Sequence, residues 1–129
     1  FALYGLAEYH RASGNPKALE LAKQLFAQER KFSAIFAATD TNALGIMQAA
    51  EENGIRIPED VSLLGFDNIR DSGLPRINLT TVEQPKKMLA SVAVDSLLDK
   101  IQNELEGYTH RILTPTLVER SSCAPYHGR

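Results

Sequence analysis

At 129 residues, with 43% hydrophobic and 23% charged content, the chain is long enough to bury the core of one domain, and its composition is that of an ordinary globular protein. A formal net charge of -2 and a pI near 5.9, with Lys and Arg scattered rather than clustered, exclude the basic footprint of a segment that grips a phosphate backbone. The single cysteine, Cys123, excludes an internal disulfide, no apolar run approaches a membrane span, and the first residues lack a signal-peptide pattern, so the cytoplasm is the expected compartment.

Residues 1–12 carry Leu3, Tyr4, Leu6 and Ala7 at helical spacing, and Ser13-Gly14-Asn15-Pro16 then stops and restarts the helix. Residues 17–28 place Ala18, Leu21, Ala22, Leu25 and Phe26 on one face, which predicts a helical hairpin over residues 1–30. A boundary near Arg30-Lys31 separates it from a sheet-forming part, residues 31–123, and a tail, residues 124–129, expected to be loose. Residues 33–38 are too short for a helix and lack clean alternation, as suits a parallel strand buried on both faces. Thr39 or Asp40 can cap the helix that follows, in which Ala43, Ile46, Met47 and Ala50 recur at three- and four-residue steps until Gly54 ends it. Residues 61–66 form a second apolar run, so the stretch reads as a right-handed strand–helix–strand unit.

Asn68 to Pro75 is turn-rich, with caps, a glycine and a proline in quick succession. Residues 77–82 alternate enough to predict a third strand, and Pro85 opens a helix of about twenty residues, with Leu89, Ala93, Leu97, Ile101 and Leu105 in register, closed by Gly107. Residues 111–118 are Thr-, Leu- and Val-rich around Pro115, which confines them to an edge or an irregular strand.

The chemistry lies at the strand ends, because open parallel sheets bind ligands outside the carboxyl ends of their strands. Those ends here are Thr39-Asp40 and Asp67-Asn68. Asp67 follows a buried strand, where an unpaired carboxylate is costly; it either accepts hydrogen bonds from a ligand or shapes the next turn. Asp40 is read first as the helix cap, with ligand contact as the alternative, and Arg70 on the adjoining loop is either solvated or turned to the ligand. Asp40 and Asp67 are also the one acid–base pair on offer, yet no nucleophile, phosphate-cradling loop or cofactor motif accompanies them, so binding is favoured over catalysis and no cofactor is expected. His10, His110 and His127 are isolated and no metal is expected.

Taken together, AIFAATDTNALGIMQAAEENGIRIPEDVSLLGFDNIRDS, LTTVEQP and PTLVERSS, in that order over residues 34–122, resemble the C-terminal part of the effector-binding domain of the lactose/galactose repressor (LacI/GalR) family. The run RIPEDVSLLGFDNIR is most similar to its purine-repressor branch. The resemblance implies an α/β fold of the periplasmic-binding-protein type: a parallel sheet with flanking helices, only part of which is supplied here. It implies a sugar or nucleobase effector, a homodimer in the intact protein, and DNA binding through a helix-turn-helix head that this sequence lacks. Asp67 then contacts effector; Thr39 stands where many relatives carry a sugar-touching asparagine, which leaves a hydroxyl there; Gln84 lies at a hinge between two subdomains and binds effector or conveys closure. Residues 1–28 match that family poorly and weakly resemble a helix pair of the N-acylglucosamine and cellobiose 2-epimerase family. The alternatives are therefore a periplasmic sugar carrier of the same fold, or an epimerase remnant.

Overall fold

A computed structural model describes residues 32–103 and 110–126. The expected helical hairpin, residues 104–109 with the expected helix stop at Gly107, and residues 127–129 lie outside them. The elements are β1 (Ala34–Phe36), α1 (Asp40–Glu52), β2 (Ser62–Phe66), a short 3-10 helix (Arg70–Gly73), β3 (Thr80–Glu83), α2 (Lys86–Asn103) and β4 (Thr116–Val118). The four strands form one sheet in the order β1-β2-β3-β4. The first three are parallel, and β4 runs antiparallel to β3.

Helix α1 begins where the sequence gains a cap and ends where it gains a glycine. Thr39 is extended, and its Oγ1 accepts a hydrogen bond from the Asn42 backbone N–H at 3.2 Å. Thr39, not Asp40, is thus the cap; Asp40 is the first helical residue, and its carboxylate is engaged elsewhere. At the other end the Gly54 N–H donates to Glu51 O at 3.1 Å and the Ile55 N–H to Ala50 O at 2.8 Å, with Gly54 at φ 66°. That is a Schellman closure, in which glycine takes the left-handed position at no steric cost. Arg56 then closes the loop into β2 by a bidentate pair with Asp60, at 3.0 and 3.1 Å. Its hydrogen bond to that carboxylate raises the guanidinium pKa above its ordinary value.

The core is small and lies between α1 and the strands beneath it. Ala37, Ala43, Ile46, Ala50, Ile55, Val61, Leu63 and Leu79 are buried, and Ile35, Met47 and Ile77 pack against them. Three expectations change. β1 is not buried on both faces: Ile35 packs against the core, while Ala34 and Phe36 point to the opposite face and are exposed, the Phe36 and Phe66 rings standing edge to face with centroids 6.4 Å apart. β3 starts at Thr80 rather than residue 77, because Asn78 adopts φ 44° and the Ile77 and Asn78 N–H groups both turn back to Leu74 O. The tail is not loose at its start, since Ala124 bonds the Ser62 hydroxyl through both its N–H and its carbonyl.

The segment after β4 stitches the amino ends of the strands. The Leu63 N–H donates to Ser122 O at 2.7 Å, the Ser122 hydroxyl donates to Leu63 O at 2.6 Å, and the Thr80 N–H donates to Ser122 Oγ at 2.8 Å. One buried serine therefore bridges β2 and β3 below the point where their direct pairing starts at Leu64 and Thr80. Among the described residues no helix is long and apolar enough to cross a membrane.

Candidate functional site at the carboxyl edge

Register places the candidate residues along one edge. Phe36 pairs with Leu64 and Phe66 with Val82, so Thr39, Asp67 and Gln84 all lie just past the carboxyl ends of neighbouring parallel strands. The Asp67 N–H donates to Val82 O at 2.8 Å, which continues the ladder one step beyond β2. The chain then bends away through two successive residues in the left-handed region, Asp67 at φ 110° and Asn68 at φ 48°. Such backbone persists only where its surroundings over-determine it, and it concentrates at functional sites.

Asp67 is held on two sides by the start of the excursion that follows β3. Its Oδ1 accepts a hydrogen bond from Gln84 Nε2 at 2.7 Å, and its backbone carbonyl accepts one from Lys86 Nζ. The other carboxylate oxygen has no hydrogen bond among the described residues, and the residue is partly exposed. It is thus an oriented acceptor with capacity to spare.

The other candidates divide. Thr39 is at the edge but spends its hydroxyl oxygen on the cap of α1. Asp40 is fully buried, its Oδ1 accepting from the Thr81 hydroxyl at 2.5 Å and its Oδ2 from the Ile69 N–H at 2.9 Å, so both oxygens are engaged by donors of the chain itself. Arg70 begins the 3-10 helix, is exposed, and makes no hydrogen bond to Asp67. Gln84 is brought onto Asp67 directly. No group of three or more His, Cys, Asp or Glu residues is placed to hold a metal among the described residues.

Sequence reasoning missed the support beneath this edge. The Arg120 guanidinium donates to Asn68 Oδ1 at 2.7 Å and to Leu79 O at 2.6 Å, while its backbone N–H donates to Thr80 Oγ1 at 2.9 Å. The Ser72 hydroxyl donates to Ile69 O at 2.6 Å and closes the turn from within. A loop asparagine and an arginine 52 positions later have no local signal of contact; only the antiparallel return of β4 brings Arg120 under the turn.

Comparison with known proteins follows the same outline. A family model described as periplasmic binding protein-like domain matches residues 3–123, a span that takes in the stretch whose wording suggested an epimerase helix pair. The HTH-type transcriptional repressor PurR of Erwinia tasmaniensis is 41% identical over 106 residues, 81% of this chain and 31% of that protein. A LacI-family transcriptional regulatory protein from Corynebacterium glutamicum superposes with a TM-score of 0.69 at 34% identity, covering 81% of this chain and 40% of that one. A LacI-family regulator from Enterococcus faecium solved with bound ribose gives a TM-score of 0.69 at 33% identity, with the same coverage. The chain spans about a third of the length of the curated relatives it matches. These relatives are transcriptional repressors and regulators, which favours that reading over the sugar carrier and the epimerase.

Proposed function

The chain belongs to the periplasmic binding protein-like domain family, as an effector-binding domain of the LacI/GalR type, and on that premise we propose that it forms one wall of a small-molecule cleft in a cytoplasmic transcriptional regulator. Asp67 is the group that meets the ligand. The observation that carries this is its geometry: an exposed-side carboxylate at the carboxyl edge of the sheet, aimed by Gln84 through one oxygen and left with the other. A fixed acceptor suits a hydroxyl or amine, and the ligand class is accordingly a sugar or a nucleobase or nucleoside; ribose occupies the related regulator from Enterococcus faecium. The role is binding rather than catalysis, and DNA contact belongs to other parts of the regulator, since this chain carries a formal charge of -2 and no basic stripe. In the intact regulator a homodimer would convert closure of the cleft into a change of spacing between DNA-reading heads.

The link from ligand to the rest of the regulator runs through residues 84–86. Gln84 and Lys86 hold Asp67 at the root of α2, so a ligand that binds the other Asp67 oxygen shares one carboxylate with Gln84 and alters the restraint on that root. Ribose and adenosine, added separately to the 129-residue chain and followed by amide chemical shifts, test the assignment at affinities down to the millimolar range. At least one should shift residues 67–69 and 84–86. Asp67→Asn should weaken that binding by about 1.5 to 3 kcal/mol, the range for a hydrogen bond to a charged group, with the thermal midpoint as the control for folding. Unchanged affinity in the variant would make Asp67 a turn cap only.

A further inference from the structure

Asp40 is the single charged side chain that is buried among the described residues, and ligand contact gives it no task. Burying a carboxylate is expensive unless its oxygens are well supplied with donors. Here each oxygen has one: the Thr81 hydroxyl at 2.5 Å from Oδ1 and the Ile69 N–H at 2.9 Å from Oδ2. Its place as the first residue of α1 adds the favourable end of the helix dipole. The space it fills is reserved for it. A Cβ on Gly65 of β2 would lie 2.2 Å from Asp40 Oδ1 and 2.8 Å from Leu79 Cδ2, so no larger residue at 65 is compatible with the carboxylate as placed.

What Asp40 grips is the turn that presents Asp67. Ile69 is the first residue after the two left-handed positions 67 and 68, and its N–H is the donor to Asp40. Thr81 is shared by the same assembly, since its Oγ1 also receives the Asn68 N–H at 3.4 Å. The helix start, the floor strand β3 and the turn therefore meet on a single carboxylate.

We infer that Asp40 is a positioning residue for the ligand site: by holding Ile69 it fixes the preceding residues 67 and 68 in their left-handed conformation and thereby aims the Asp67 carboxylate. This rests on the reading of Asp67 as the ligand acceptor. It gives the buried Asp40 and the partly exposed Asp67 distinct roles, in which the first never touches ligand and governs how tightly the second holds it.

Amide hydrogen exchange by NMR on the full 129-residue chain, paired with titration by ribose and adenosine, tests it. In Asp40→Ala the Ile69 amide should exchange at least about tenfold faster relative to wild type than the Leu63 and Ile46 amides do, because the opening is local. Binding of whichever probe the wild type takes should fall by at least about tenfold as well, the size of effect expected when a pre-organised acceptor is released. Asp40→Asn keeps an acceptor for the Ile69 N–H once the Thr81 hydroxyl turns to accept from the new amide, and should recover most of both effects. Uniform acceleration of all three amides, or a return of the thermal midpoint in Asp40→Asn without a return of affinity, would overturn the inference and leave Asp40 a core residue only. If Asp40→Ala does not fold, Thr81→Val removes the hydroxyl that donates to Asp40 and receives the long Asn68 N–H contact, and should still speed Ile69 exchange about threefold over the core amides; an unchanged ratio counts against the inference. If the wild type takes neither probe, the ligand reading of Asp67 fails by itself, and the Ile69 exchange ratio still decides whether Asp40 fixes the turn.

Discussion

Helices α1 and α2 carry the same kind of pattern and meet opposite ends. In α1, Ala43, Ile46 and Ala50 recur at steps of three and four and are 0%, 8% and 2% exposed. In α2, Leu97 and Ile101 follow the same rule and are 60% and 66% exposed, with Met88, Leu89, Val94 and Leu98 exposed beside them. Topology accounts for the difference. α1 connects two adjacent parallel strands, so the chain must return along the sheet and lay the helix across it. α2 connects β3 to its antiparallel neighbour: the chain leaves the sheet at Glu83 and re-enters at Thr116, which is paired with Glu83. Nothing in that route requires α2 to cross a face of the sheet, and the helix lies in an excursion from the same edge that holds Asp67. Periodicity thus states that a helix has a face to cover; connectivity decides whether the sheet covers it.

Truncation at the centre of the α1 side should have the largest effect. Leu63→Ala removes a side chain with no exposed surface from β2 beneath α1 and should cost about 2 to 5 kcal/mol, read as a lower denaturant midpoint at constant slope. The cap gives an intermediate effect. Thr39→Ala deprives the Asn42 N–H of its acceptor and should cost about 1 kcal/mol, visible in the same denaturant series, with the Asn42 amide losing exchange protection first. The smallest effect belongs to α2. Leu97→Ala should change the stability of this chain by less than about 0.5 kcal/mol, the usual range for an exposed position. A loss at Leu97 as large as that at Leu63 would break the comparison, because it would mean that the α2 face is buried in solution.

Much of the candidate site's placement was legible because it depends on strand ends, which apolar runs mark well. Asp67 follows five residues of β2 whose alternate members are buried, and the Gly65-Phe66-Asp67 ending announces a turn. Arg120 was not legible. Its partners are Asn68 and Leu79, 52 and 41 positions away, and no local spacing encodes a contact between segments that meet only when a sheet closes. Asp40 was legible as important but not as to kind: a carboxylate at a helix start fits a cap or a ligand group equally well, and the cap is Thr39. Its burial beneath a turn follows from Thr81 and Ile69 arriving from elsewhere in the chain.

By itself the sequence determined the local elements and their order: where α1 starts and stops, which strands are parallel material, that Pro115 keeps the last strand at an edge, and that Asp67 ends a strand. These are short-range properties, set by side-chain period, caps and the φ freedom of single residues such as Gly54. The tertiary structure alone decided which of two adjacent polar residues caps α1, which of two carboxylates is buried, and that the residues after β4 bind together the strands before it. Those outcomes depend on donors supplied across the sheet, and a buried polar group takes its role from the partners that reach it rather than from its neighbours in sequence.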